Sequence, residues 1–299
     1  MESNRRSGVA EAVGAYVLWG LLPVYWKLLQ SVPALQILGH RVVWSFVFLM
    51  ALVGLRGEGA IFRRAWQRPR TVAIYTAASV LLAVNWLTYI WSVNHDRIVE
   101  TSLGYYINPL VSVLLAVGVL RERLRRLQWL AVAMAAGAVV FLTWQHGALP
   151  WEALILALSF GAYGLLKKTA PLEALPGLAM ETAVLCLPAA AYLGLEEACG
   201  AGAIATGDGW RTLLLGLTGV VTATPLLLFA QAARRIRLST IGLLQYISPT
   251  CGLVLGVLVY REPFTWARAF GFGVIWVALA LFWFDGARHT WGRRIGRAG

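Results

Sequence analysis

Ten stretches of roughly twenty apolar residues follow one another along the 299-residue chain, separated only by short polar connections. They run roughly over 8–28, 36–55, 71–93, 98–120, 127–145, 150–168, 178–195, 211–233, 238–260 and 266–284. A helix of about 20 residues crosses the ~30 Å hydrocarbon core of a bilayer. Lipid offers no hydrogen bonds, so such segments must satisfy their backbone internally, as helices do. The expectation is an all-α membrane protein with ten transmembrane helices, embedded in a lipid bilayer. Charged residues make up only 13% of the chain, about half the share usual in soluble domains. Nine further stretches follow the first, and no Ala-x-Ala-like site follows its apolar run. It is therefore read as a helix and not as a leader.

The net charge of +12 would suit a nucleic-acid binder, but its placement does not. With a cytoplasmic N terminus, the inside segments hold 20 of the 26 basic residues, including Arg63, Arg64, Arg68, Arg70, Arg123, Arg125, Arg126 and Arg234. This is the positive-inside pattern, with both termini in the cytoplasm and no nucleic-acid partner. Trp129, Trp144, Trp151, Trp210, Trp266 and Trp283 fall near span ends, where indoles anchor among headgroups. Cys186, Cys199 and Cys251 have neither metal-site spacing nor a disulfide framework, so no metal or cofactor is expected.

The chain also repeats itself. Tyr106-Ile-Asn-Pro109 recurs as Tyr246-Ile-Ser-Pro249, and Arg121-Glu122 as Arg261-Glu262, each 140 residues on. Trp19-Gly20 and Lys27 correspond to Phe160-Gly161 and Lys168 at 141. Each half holds five spans, and an odd number inverts the second copy in the membrane. The expected units are a first five-helix repeat over 8–146, a second over 150–285, and a basic cytoplasmic tail over 286–299.

Polar residues inside spans are costly and should face the bundle interior or a wet path. Thr101, Tyr105, Asn108 and Ser112 share one helical face, and the repeat puts Ile241, Gln245, Ser248 and Gly252 on the matching face. Asn85, Thr88, Tyr89 and Ser92 form a third stripe. Two readings stand: a solute path lined by Asn85, Trp86, Tyr89, Tyr105, Asn108, Gln245 and Tyr246, or interhelical hydrogen bonds that hold the bundle. Pro109 and Pro249 each remove a backbone donor and should bend their helices. Lys27, His40, Arg41, Glu100 and Glu181 are candidates for gates or coupling. Arg41 and Glu181 are repeat partners and should lie at opposite ends of the path, with Glu100 a candidate local partner for Arg41 or Lys27.

No soluble domain fits into the connections, and no nucleotide loop, zinc motif or nucleophile elbow occurs, so an enzyme is not expected. Trp19-Gly20-Leu-Leu-Pro23-Val-Tyr25-Trp26-Lys27, His40-Arg41-Val-Val-Trp44-Ser45, Asn85-Trp86, Ser102-Leu-Gly-Tyr-Tyr-Ile-Asn-Pro109, Leu238-Ser239-Thr240 and Gln245-Tyr246-Ile-Ser-Pro249 resemble the RarD family, in the EamA branch of the drug/metabolite transporter superfamily. The resemblance covers about 8–285. It implies a bacterial inner-membrane carrier with two inverted five-helix repeats. Related members export amino acids or other small metabolites by alternating access. It also implies that the fifth and tenth helices lie at the edge of the cavity or at a homodimer contact. The second copy departs from the first at Asn108/Ser248 and Asn85/Pro225. The reading is a secondary transporter, exporter or facilitator, of small metabolites, amino acids or drug-like solutes. A passive channel is the alternative, with a membrane enzyme or structural membrane protein behind it.

Overall fold

A computed structural model describes residues 2–94, 98–145, 151–204, 208–259, 261 and 266–295; side chains at 2–5, 90, 93–94, 98–103, 267–268, 286–287 and 289–295 lie outside this description. Among the described residues every regular element is a helix: α1 Glu2–Leu28, α2 Ala34–Leu55, α3 Gly59–Trp66, α4 Pro69–Asn94, α5 Ile98–Gly118, α6 Arg126–Gln145, α7 Trp151–Thr169, α8 Ala174–Ala198, α9 Gly209–Arg235, α10 Leu238–Leu244, α11 Ile247–Leu258 and α12 Trp266–Ile295. Seven segments are long and apolar enough to cross a membrane, one of them running through α10 and α11. The described apolar parts of α5 and α12 are shorter. The remaining long helix, α7, carries Glu152, Lys167 and Lys168.

Neighbours in space come largely from opposite halves of the chain. α1 packs on α9 and α11, α2 on α8 and α9, α4 on α7 and α8, α5 on α7 and α10, and α6 on α12. Glycines set several of these approaches. Gly20 and Gly161 occupy repeat-related places; a Cβ there would come 2.5 Å from Cys251 Cβ and 2.7 Å from Val111 Cγ1 respectively. At Gly219 a Cβ would lie 2.3 Å from the Trp44 carbonyl carbon, so only glycine lets α9 meet the backbone of α2. Ser45 closes that contact by donating to the Gly219 carbonyl at 3.2 Å.

The two prolines act differently. α5 continues through Pro109, whereas the second copy breaks at Gln245–Tyr246. Pro249 has no N–H to give the Gln245 carbonyl, four residues earlier. Ser248 N–H supplies the bond instead, at 3.1 Å, which tightens the turn and interrupts the helix. The repeated Arg-Glu also has a physical counterpart. Arg121 and Arg261 both adopt left-handed backbone, with φ of 54° and 53°. That turn presents Glu122, whose carboxylate accepts from Leu238 N–H at 2.8 Å and Ser239 N–H at 3.2 Å, satisfying the first turn of α10. Glu262 lies outside the described residues.

Hydrogen bonds define two faces. On the basic face, Arg234 donates to Ala170 and Leu172 carbonyls, Lys168 to the Ile236 carbonyl, and Arg235 pairs with Glu11. Arg125 and Asp285 pair at 2.5 Å. On the opposite face, Tyr25 donates to the Leu214 carbonyl, and Gln36 joins Ala201 and Ala203 at 2.8 and 2.9 Å. The long connection at 56–70 contains α3, which sequence patterning did not indicate. Its Phe62 and Ala65 pack beside Tyr75, Ala170 and Met180, leaving Arg63 and Arg64 exposed. An apolar groove of about 900 Å³ between Trp66 and α4 residues 69–81 contains no charged side chain.

Gly219→Val should lower unfolding free energy by about 1–3 kcal/mol through overpacking. Gly54→Ala, where nothing lies within 4 Å, should be neutral or raise it by up to ~1 kcal/mol. Thermal unfolding in detergent, followed by tryptophan fluorescence, measures both.

Candidate transport site

Arg41 stands seven residues into α2, which starts at the opposite face, so it lies about 10 Å along the helix at ~1.5 Å per residue. Its guanidinium carbon sits 4.8 Å from the Trp26 ring centroid and 4.7 Å from that of Trp86. Its Nε donates to Thr222 Oγ1 at 3.1 Å. Tyr89 and Tyr105 lie within electrostatic reach of the same charge. Helices α1, α2, α4, α5 and α9 thus converge on one cation held between two indoles.

Beneath this box lies a layer of aromatic rings. Trp19 and Phe160, repeat partners, meet edge-on with centroids 5.6 Å apart. Tyr16, Tyr163 and Phe229 complete the layer, the last two stacked at 6.0 Å. On its basic-face side is a second charged cluster. Glu181 stands seven residues into α8, the same depth from the basic face as Arg41 from the other. Its carboxylate accepts from Lys167 Nζ at 2.7 Å and from Tyr163 OH at 2.9 Å. Lys167 Nζ also lies 5.8 and 5.7 Å from the Tyr75 and Tyr163 ring centroids. The two clusters are the same repeat positions with different chemistry. Arg41 corresponds to Glu181 and Trp26 to Lys167, so a cation on an indole in one half becomes an ion pair in the other.

Among the sequence candidates for the path, Trp86, Tyr89 and Tyr105 gather around Arg41. Three of the others make structural bonds. Asn85 donates to the Leu156 carbonyl and to Ser159, both at 3.0 Å. Gln245 is buried and accepts from Ser112 at 3.3 Å. Tyr246 is buried against α6 and α12, its hydroxyl donating to the Tyr106 carbonyl at 3.1 Å. Asn108 Oδ1 is buried without a hydrogen-bond partner. Of the charged candidates, Lys27 is exposed at the end of α1, and His40 is buried with Nε2 unpartnered. The side chain of Glu100 lies outside the described residues. Trp26, Thr222, Tyr75, Tyr163 and Lys167 were not singled out from sequence as site residues. The paired substitutions at 26/167 and 41/181 were the available signal.

Apolar helices around a core of aromatic layers and buried charges define a multi-pass membrane transporter. The pattern of the EamA-like transporter family matches residues 6–144 and again 151–284, and the chain belongs to that family, in its RarD branch. It is 46% identical to Protein RarD of Streptomyces exfoliatus, over 96% of this chain and 91% of that one. It is 42% identical to Protein RarD of Escherichia coli, over 94% and 95%. It is 45% identical to the protein named Uncharacterized transporter YojE of Bacillus subtilis, over 95% of each. A solved structure, described only as a crystal structure of a protein, superimposes with a TM-score of 0.69 at 19% identity, covering 93% of this chain and 97% of that chain. That likeness supports the fold alone.

Glu181→Leu should cost about 3–5 kcal/mol, because it leaves Lys167 charged and buried without its partner. Glu181→Leu combined with Lys167→Met should recover most of the loss. Unfolding of the two variants in mixed micelles compares them directly.

Proposed function

We propose that the chain is a secondary carrier of small metabolites. In this reading it has ten spans in two inverted five-helix repeats, over 8–146 and 150–285, followed by a basic tail over 286–299. The double family match and the repeat-related contacts at Gly20 and Gly161 support that organisation. It sits in the bacterial inner membrane with its basic face and both termini in the cytoplasm, on the positive-inside argument. The two repeats rock about the Trp19–Phe160 layer and expose the path alternately to either side.

The observation that carries this reading is a difference in burial between matched positions. Glu181 and Lys167 have 0% and 4% of their side chains exposed. Their counterparts Arg41 and Trp26 are only partly buried. Leu226, Phe229 and Gln245 are buried, whereas their counterparts Trp86 and Tyr89 are partly open and Tyr105 is 48% exposed. On this reading the conformation is closed at the basic face and open toward the other. Exchanging the two repeats' conformations would close the Arg41 box and open the Glu181 cluster. A passive channel needs a path open at both ends, and the buried aromatic layer argues against one. Net movement outward, as an exporter, follows the resemblance to small-metabolite exporters.

With the three native cysteines replaced, Tyr105→Cys, at a position 48% exposed, should react with a membrane-impermeant thiol reagent added from the periplasmic side. Glu181→Cys should not. Counterflow in proteoliposomes over a panel of amino acids and small metabolites should show saturable exchange for at least one solute. Flux that never saturates, together with no counterflow, would refute the carrier.

A further inference from the structure

We propose that the box around Arg41 is a binding site for the carboxylate of a small solute, and hence that the cargo is anionic at this end. This rests on the carrier reading and adds a substrate class to it. The guanidinium carbon lies 4.8 Å from the Trp26 ring centroid and 4.7 Å from that of Trp86, contacts that use none of its N–H donors as conventional hydrogen bonds. Of the five N–H donors a guanidinium carries, the Nε donor is used by Thr222. Among the described residues no acceptor takes the Nη donors, and no carboxylate pairs with Arg41.

A cation held at membrane depth calls for a counter-charge. The Lys167–Glu181 cluster supplies one internally at the matching place in the other half. Among the described residues the Arg41 box does not, and on the carrier reading it is the open end of the path. A planar fork of two donors matches the two oxygens of a carboxylate, so the vacant edge selects that group over a neutral amide or a cation. Tyr105, exposed beside Arg41, offers the hydroxyl and ring face that would hold the remainder of the solute.

The test uses full-length protein in lipid nanodiscs and follows Trp26 and Trp86 emission. Three carboxylates are titrated against their own amides: phenylacetate and phenylacetamide, N-acetylalanine and its amide, and lactate and lactamide. At least one acid should bind about tenfold or more tightly than its amide, as expected for a charged hydrogen-bonded pair. Arg41→Gln should abolish that preference, with the thermal unfolding midpoint confirming that the variant is folded. Arg41→Lys, which keeps the charge without the fork, should retain part of it. Glu100→Gln should leave it intact. No acid preferred over its amide, a preference that survives Arg41→Gln, or one abolished by Glu100→Gln would each overturn the assignment. Counterflow of neutral or cationic solutes alone would also overturn it while leaving the carrier reading standing.

Discussion

A carboxylate with no exposed surface has to be matched where it is buried, and the pairing of Glu181 with Lys167 meets that requirement. Much of the molecule is arranged around this constraint. Tyr163 donates to the second carboxylate oxygen, and Ser79 donates to the Glu181 carbonyl at 3.0 Å. Tyr75 then links the cluster to the α7–α8 turn at Leu172. Four helices, α4, α7, α8 and the adjoining α9, are drawn together at the basic face. Desolvation makes such a pair weak evidence for net stability but a strong specifier of one arrangement.

The other half carries the same geometry with its charges rewritten. Arg41 takes the place of Glu181 and Trp26 that of Lys167. Aromatic faces can soften the cost of a buried cation without neutralising it. One half therefore holds a buried ion pair, while among the described residues the charge in the other half has no carboxylate partner. On the proposed inverted-repeat reading these are two matched gates, and the sequence difference between them would make one a lock and the other a receptor.

Helix content and the repeat could be read from the chain because both arise from local or periodic rules: span length, charge at the ends, and matching residues 140 apart. The polar stripes were legible too, but their destinations were not. Asn85 and Gln245 have the same amide chemistry as a solute-binding residue, yet Ser159 and Ser112 lie near enough to bond them. Periodicity gives the face of a helix and leaves open which neighbour it meets. Trp26 was hidden for a related reason. In the sequence it stands only as part of the family motif, and its meeting with Arg41, 4.8 Å from the ring centroid, is a contact between helices that no spacing along the chain gives.

The sequence by itself determined that the chain has helices apolar enough to span a membrane and motifs that recur 140 residues on, and it led to the expectation that Arg41 and Glu181 lie at opposite ends. Those conclusions follow from hydrogen-bond accounting in lipid and from parity. Tertiary structure alone decided that Glu181 meets Lys167 while Arg41 meets two indoles, and that the break in the second copy falls at Gln245–Tyr246 while α5 runs on through Pro109. Pairing across helices depends on how closely backbones approach, as at Gly219, and a one-dimensional pattern carries no such distance.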